Sequence, residues 1–223
     1  MPETTQNKVF FGLAEAMWAP VTERKNATTG VITTSYGSWN AIDGLVSLTQ
    51  DPQGSKYVFR ADDSDYYVKN PNAGYSGGVK FARLPDALRE YCFGERRDDN
   101  GVAVEAGTDE ETKYIAFGFR FRGDQKNIRH EFLKCSITKP SISGETTPEG
   151  DTPNINGEEV TLTSVPRADA DKYCHLWADP RTDATTWSNW WQSVYVPTFT
   201  PTPTPDPDPD PDPADDNNND QET

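Results

Sequence analysis

The sequence predicts a mainly β fold: an all-β sandwich or barrel with one packed amphipathic helix and a C-terminal tail that takes no part in the core. Three observations carry this. Apolar side chains alternate with polar ones through several short runs. Gly, Pro, Asn and Asp punctuate those runs at short intervals. After Pro197 the chain turns to TFTPTPTPDPDPDPDPADDNNNDQET, which has almost nothing to bury.

The clearest strand is KYIAFGFRFRG. Ile115, Phe117, Phe119 and Phe121 point one way and Tyr114, Ala116, Gly118, Arg120 and Arg122 the other, as in a half-buried strand. NIRHEFLKCSITKPS follows after the turn GDQK and completes a hairpin. The other strand candidates are KVFFGL, EAMWAPV, GLVSLTQ, SKYVFR, DYYVK, GGVKFARL, EEVTLTSV and KYCHLWA. LPDALREYCFG reads as a helix. Pro85 stands at its first position, where a missing N–H costs nothing. Asp86 suits the positive end of the helix dipole. Leu84, Ala87, Leu88, Tyr91 and Cys92 form one face, and Gly94 stops the helix. A shorter helical turn is expected in ATTWSNWWQSVY. Glu95–Thr112 and Ser143–Glu159 read as long loops. The expected division is a folded domain at 1–197 and a disordered Pro/Asp-rich tail at 198–223.

The 223 residues carry a formal charge of -15, and removing the tail's eight acidic residues leaves -7 for the rest. Both parts are acidic, which argues against tight binding to phosphate backbones. Cys92, Cys135 and Cys174 are odd in number, widely spaced and set among apolar residues, the pattern of buried free thiols in a reducing compartment. The N-terminus lacks the pattern of a secretory signal, and no apolar run is long enough to span a bilayer. These features predict a protein made in a cytoplasm, with no membrane partner.

No catalytic constellation emerges. Asp62, Asp63 and Asp65 invite a calcium reading, but the EF-hand template asks for Gly sixth and Glu twelfth. Counting from Asp63 gives Val68 and Gly74, and from Asp62 gives Tyr67 and Ala73. The cluster reads better as a solvated turn. His130 and His175 lack a partnering nucleophile motif and read as packed residues. No P-loop or GxGxxG is present. Trp187, Trp190, Trp191 and Tyr195 could form a sugar platform, but their helix-like spacing favours covering one end of the fold. In the tail, proline at every second position excludes helix and sheet ladders, so an extended solvated spacer is expected.

Several stretches taken in order carry a resemblance: NKVFFGL, AIDGLVSLTQDPQG, FRADDSDYYVKNPNAGYSGGVKFARLPDALRE, DDNGVAVEA, KYIAFGFRFRGDQKNIRHEFLKCSITKPS, EEVTLTSVPR and TTWSNWWQSVYVPT. Over about Asn7 to Pro197 the chain resembles the major tail proteins that build the tail tube of long, non-contractile-tailed bacteriophages (siphovirus type) of Gram-positive hosts. Tyr75, Ser76, Gly77, Leu84, Pro85, Asp86 and Pro140 belong to the stretches that carry it. The resemblance implies a two-sheet β-sandwich with a flanking helix and no enzymatic activity, and the residue patterns call for no cofactor or metal. It implies copies of the same chain joined in hexameric rings that stack into a tube in the virion tail, assembled in the bacterial cytoplasm. The implied partners are the chain itself, the tape measure, tail terminator and distal tail proteins, and phage DNA in transient passage. The Pro-Asp tail is an extension the family pattern does not require. Candidate inter-subunit contacts are the N-terminal arm and the two long loops, with Glu95, Asp98, Asp99, Glu110, Thr147 and Asp151 as representatives. An acidic lumen wall would repel DNA and let it slide. The competing readings are a secreted carbohydrate-binding β-sandwich module with a Pro-rich linker and a calcium-stabilised adhesion module.

Overall fold

A computed structural model describes residues 11–69, 71–105, 107, 111–124, 126–144, 146, 156–169 and 172–199. The N-terminal arm up to residue 10, most of the 143–159 loop and the tail from Thr200 on lie outside the described residues.

The strands are β1 (Leu13–Lys25), β2 (Ile32–Tyr36), β3 (Asn40–Ile42), β4 (Leu45–Leu48), β5 (Asp51–Gln53), β6 (Tyr57–Ala61), β7 (Ser64–Lys69), β8 (Gly74–Phe81), β9 (Arg96–Arg97), β10 (Ala103–Val104), β11 (Tyr114–Phe121), β12 (Arg129–Ile137), β13 (Glu158–Ser164) and β14 (His175–Ala178). The helices are α1 (Asp86–Phe93) and α2 (Ala184–Asn189). Ten strands form one antiparallel sheet whose main path is β2-β1-β11-β12-β13-β8-β4. Strand β12 is the corner. Its first half pairs with β14 through Arg129–Phe132, and its second half pairs with β13 through only Cys135, Ser136 and Ile137. That narrow seam lets β13-β8-β4 fold across β1-β11-β12. The two layers of the expected sandwich are thus halves of one continuous sheet.

Phe81 meets Phe117 edge-on across the layers at 6.4 Å, and Tyr75 meets Phe132 at 5.4 Å. Trp18, Ile115, Phe117 and Phe132 face Val79, Phe81, Val160 and Leu162, with Leu84, Leu88 and Phe93 closing one end. Each such side chain contributes roughly 1.5–3 kcal/mol by leaving water. Helix α1 is tied down by Tyr91, whose hydroxyl lies 3.2 Å from the carbonyl oxygens of Val21 and Tyr114.

The structure corrects several expectations. Pro85 is the helix N-cap in extended backbone (φ -61°, ψ 141°) rather than the first helical residue, because its fixed φ serves the entering strand equally well. Ala87 is exposed, since its short methyl lies at the edge of the stripe, and Phe93 reaches the core at the last turn. Phe11 and Gly12 lie outside any strand. Lys8–Phe10 of the expected strand KVFFGL lie outside the described residues, and its Leu13 opens β1, which takes in the whole of the expected strand EAMWAPV and is bulged near Glu15. The loop expected to reach Glu159 ends earlier, where β13 begins at Glu158. Strands β2 and β3 arise in stretches to which the sequence pattern assigned no strand.

The largest difference concerns β11. Its second face, expected in solvent, carries fully buried Ala116, which clusters with Ala19, Val21, Leu133 and Val194. The C-terminal segment covers it. Trp191 packs so closely on Gly118 that an added Cβ would sit 2.7 Å from its ring. The Trp191 indole N–H donates to Glu15 at 3.1 Å, and Arg120 grips the same carboxylate at 2.6 Å.

Candidate assembly surface

Strands β6 and β7 form a separate two-stranded sheet. Ala61 pairs with Ser64, leaving Asp62 and Asp63 as a two-residue loop with φ of 50° and 57°. Positive φ at both positions is the type I′ hairpin turn, whose twist matches the strands it joins, and Asp tolerates that backbone. The acidic trio is therefore turn chemistry, with Asp65 in an exposed ion pair to Arg60 at 3.4 Å. Among the described residues no group of His, Cys, Asp and Glu is arranged to hold a metal ion.

The sides of this hairpin are its unusual part. Phe59 lies opposite Tyr67, and Val58 opposite Val68. Tyr66 is 74% exposed, Tyr57 59%, and Phe59 and Tyr67 each 52%. A lone two-stranded hairpin is marginal in water, and clustered exposed aromatics mark a surface that docks on something. They form a candidate surface that the sequence pattern alone did not single out. The run DYYVK held the signal, since three consecutive apolar residues give both faces of a strand something to bury.

The two long loops are rooted side by side. A cleft of about 490 Å³ is lined by Glu95, Glu105, Lys139, Pro140, Ile142 and Glu158. Lys139 pairs with Glu105 across it. Arg89 of α1 holds both Glu95, at 3.0 Å, and Glu158, while Glu158 accepts the Leu84 N–H at 2.5 Å. Asp86 pairs with Arg97 at 2.6 Å. Asp98 folds β9–β10 into a small hairpin by accepting the N–H groups of Asn100 and Val102. Those bonds hold its carboxyl below the usual range. Asp99 is exposed beside it. Glu110, Thr147 and Asp151 lie outside the described residues. The structure thus gathers Leu84, Pro85, Asp86, Glu95 and Pro140 at one end of the fold. Tyr75, Ser76 and Gly77 lie at the far end of β8. There Ser76 meets Thr163 at 3.0 Å, and Gly77 admits the Thr49 carbonyl, which an added Cβ would meet at 2.0 Å.

His130 and His175 are packed residues. His175 lies between Phe132 at 4.6 Å and His130 at 5.5 Å, and His130 stacks on Phe119 at 5.0 Å. Burial pulls the His175 pKa down to about 4, with the His130 charge adding to the shift. Burial likewise lowers His130. The third notable group is Glu131, buried on the outer face of β12, where desolvation raises its carboxyl well above the usual range. It accepts the Tyr195 N–H at 3.1 Å, so it fastens the covering C-terminal segment to the sheet. All three cysteines are free; burial pushes the Cys92 thiol up to about 12 and raises Cys135 as well. The expected covering role holds for the tryptophans, which do not share one open platform: Trp190 is buried, Trp191 covers Gly118, and Trp187 stacks under Arg129 at 4.1 Å.

No family model matches the chain. It is similar to the tail tube protein of Lactococcus phage SK1. The two are 25% identical over an alignment 174 residues long, which covers 74% of this chain and 56% of that protein. The chain therefore spans little more than half the length of the curated relative it matches. Among the described residues no helix is long and apolar enough to cross a membrane.

Proposed function

We propose that the chain is a structural subunit of a phage tail tube. Copies join edge to edge into rings, hexameric as in the family the sequence resembles, and the rings stack into a hollow tube through which DNA passes. The observation that carries this reading is the β6–β7 hairpin, a sheet of its own whose aromatic side chains stay exposed among the described residues. The similarity to a tail tube protein supports the same role, and supports a structural rather than catalytic one. In this reading the hairpin docks on a neighbouring copy, the loop-root cleft beside Glu95 and Pro140 receives a second contact, and the acidic surface keeps the lumen from gripping phosphate. The tape measure, terminator and distal tail proteins are the partners such a tube requires.

Negative-stain microscopy with sedimentation over a range of concentrations tests it. Rings or tubes of uniform diameter are expected, and Tyr66→Ser with Tyr67→Ser should abolish them while leaving a folded monomer. A chain that stays monomeric at every concentration and binds glycans would overturn the reading in favour of a carbohydrate-binding module.

A further inference from the structure

The outer edge of β14 is open. Leu133 donates its N–H to the Cys174 carbonyl at 3.0 Å, and β12 pairs with β14 from Phe132↔His175 to Arg129↔Ala178. Backbone groups on a strand point to alternate sides. Those of Cys174, Leu176 and Ala178 therefore face β12, and those of His175 and Trp177 face outward. The latter find no backbone partner among the described residues. Along this edge runs an apolar cleft of about 520 Å³ lined by Tyr173, His175, Trp177, Trp190, Tyr195 and Phe199. Trp177 is 58% exposed in it.

The described chain ends at this cleft. Tyr195 is bound to Glu131, and Phe199 packs on Tyr173 at 5.6 Å. Twenty-four residues follow, beginning Thr-Pro-Thr-Pro-Thr-Pro. Continued from Phe199 beside Tyr173, five extended residues cover about 16 Å, the length of the edge from Tyr173 to Ala178.

The proline spacing then acquires a meaning. From Pro201 to Pro213 every odd position is proline and every even one is Thr or Asp. Proline at alternate positions excludes a central strand, because half the donors are missing. It permits a strand bonded on one side only, because all the missing donors then point the same way. The residue before each proline is itself biased to extended backbone.

We propose that Thr200–Pro205 of the same chain lies along β14 as a one-sided edge strand. Thr200, Thr202 and Thr204 turn their N–H and C=O groups to His175 and Trp177, and Pro201, Pro203 and Pro205 turn their blocked edge to solvent. The pyrrolidine rings and threonine methyls cover Trp177. The resulting edge cannot accept a further strand, and the Asp-Pro run leaves the fold where β14 ends. This inference does not depend on the tube reading.

The test is amide hydrogen exchange by NMR on the full chain, following the Trp177 backbone N–H and its indole signal. The reference is a full-length variant with residues 200–205 replaced by alternating Gly and Ser. Exchange at Trp177 at least tenfold slower in the natural chain is expected. Thr202→Pro with Thr204→Pro should return it to the reference rate. Carbonyls able to accept the Trp177 N–H remain, but the inward N–H groups that bond the His175 and Trp177 carbonyls are lost, so the run reverts to a proline helix that no longer holds to the β14 edge. Equal exchange in the natural and Gly-Ser chains would overturn the proposal. Protection that survives the double proline variant would replace the strand by a proline helix without a ladder. Protection that disappears on dilution would assign the occupant to a second copy, which also overturns it.

Discussion

The β6–β7 hairpin and the β11–β12 hairpin are built from the same kinds of residue, yet they fare differently. In β11–β12, Phe117, Phe119, Phe132 and Leu133 are buried, because the sheet folds across one face and the C-terminal segment covers the other. In β6–β7, Tyr57, Phe59, Tyr66 and Tyr67 remain in solvent. The contrast separates apolar residues buried within the described chain from apolar residues left on its surface. Strand-forming composition is the same in both, and only the neighbours differ.

Substitutions should break this contrast in order of size. Phe117→Ala removes the ring that links the layers and should cost about 4 kcal/mol in urea unfolding. Acidification comes next. His175 is neutral when folded but protonates more readily once unfolded, so the unfolded chain binds more protons between about pH 6.5 and 4. Stability present at neutral pH should fall through that window by up to about 3 kcal/mol, and His175→Phe should flatten the fall. Glu131 has the opposite sign: its raised folded pKa means stability is full below the ordinary carboxyl pKa and declines as pH rises. Glu131→Gln should therefore be more stable than the natural chain at pH 8, with little difference at pH 4. Gly77→Ala drives a methyl into the Thr49 carbonyl and should cost about 2 kcal/mol. Tyr66→Ser with Tyr67→Ser should move monomer stability by less than about 0.5 kcal/mol. A large loss of monomer stability there would mean that the hairpin is a buried part of its own chain after all.

The alternation in KYIAFGFRFRG located the core face of β11 correctly, and the proline, acidic and glycine signals located α1 within a residue. The turn at Asp62 and Asp63 was legible as a turn because the metal templates failed residue by residue. Burial by distant chain was not legible. Ala116 and Gly118 look like a solvent face until Trp191 and Val194 arrive from far along the sequence. Nor did local pattern show that β6–β7 stands apart from the main sheet, because the separation is decided by what β5 and β8 pair with instead. Glu131 looks like an ordinary polar position on a strand, and only the covering segment makes it a buried acid. The candidate contacts Glu95 and Asp98 lie at one end with Pro140 of the resemblance stretches because Arg89 and Glu158 draw the loop roots together, a pairing across 69 positions that no local motif records.

The narrow seam at Cys135–Ile137 also sets a schedule for synthesis. Ser76 must wait for Thr163, 87 positions later, and Glu15 meets Trp191 only after a further stretch has been translated, 176 positions from itself. A sheet closed by such distant pairings gains its contacts late and nucleates slowly. The β6–β7 hairpin, by contrast, needs only its own turn and can form within microseconds of leaving the ribosome. The part with exposed aromatics can therefore sample its fold before the body that carries it is complete, while its marginal stability alone keeps it from settling until the chain is finished.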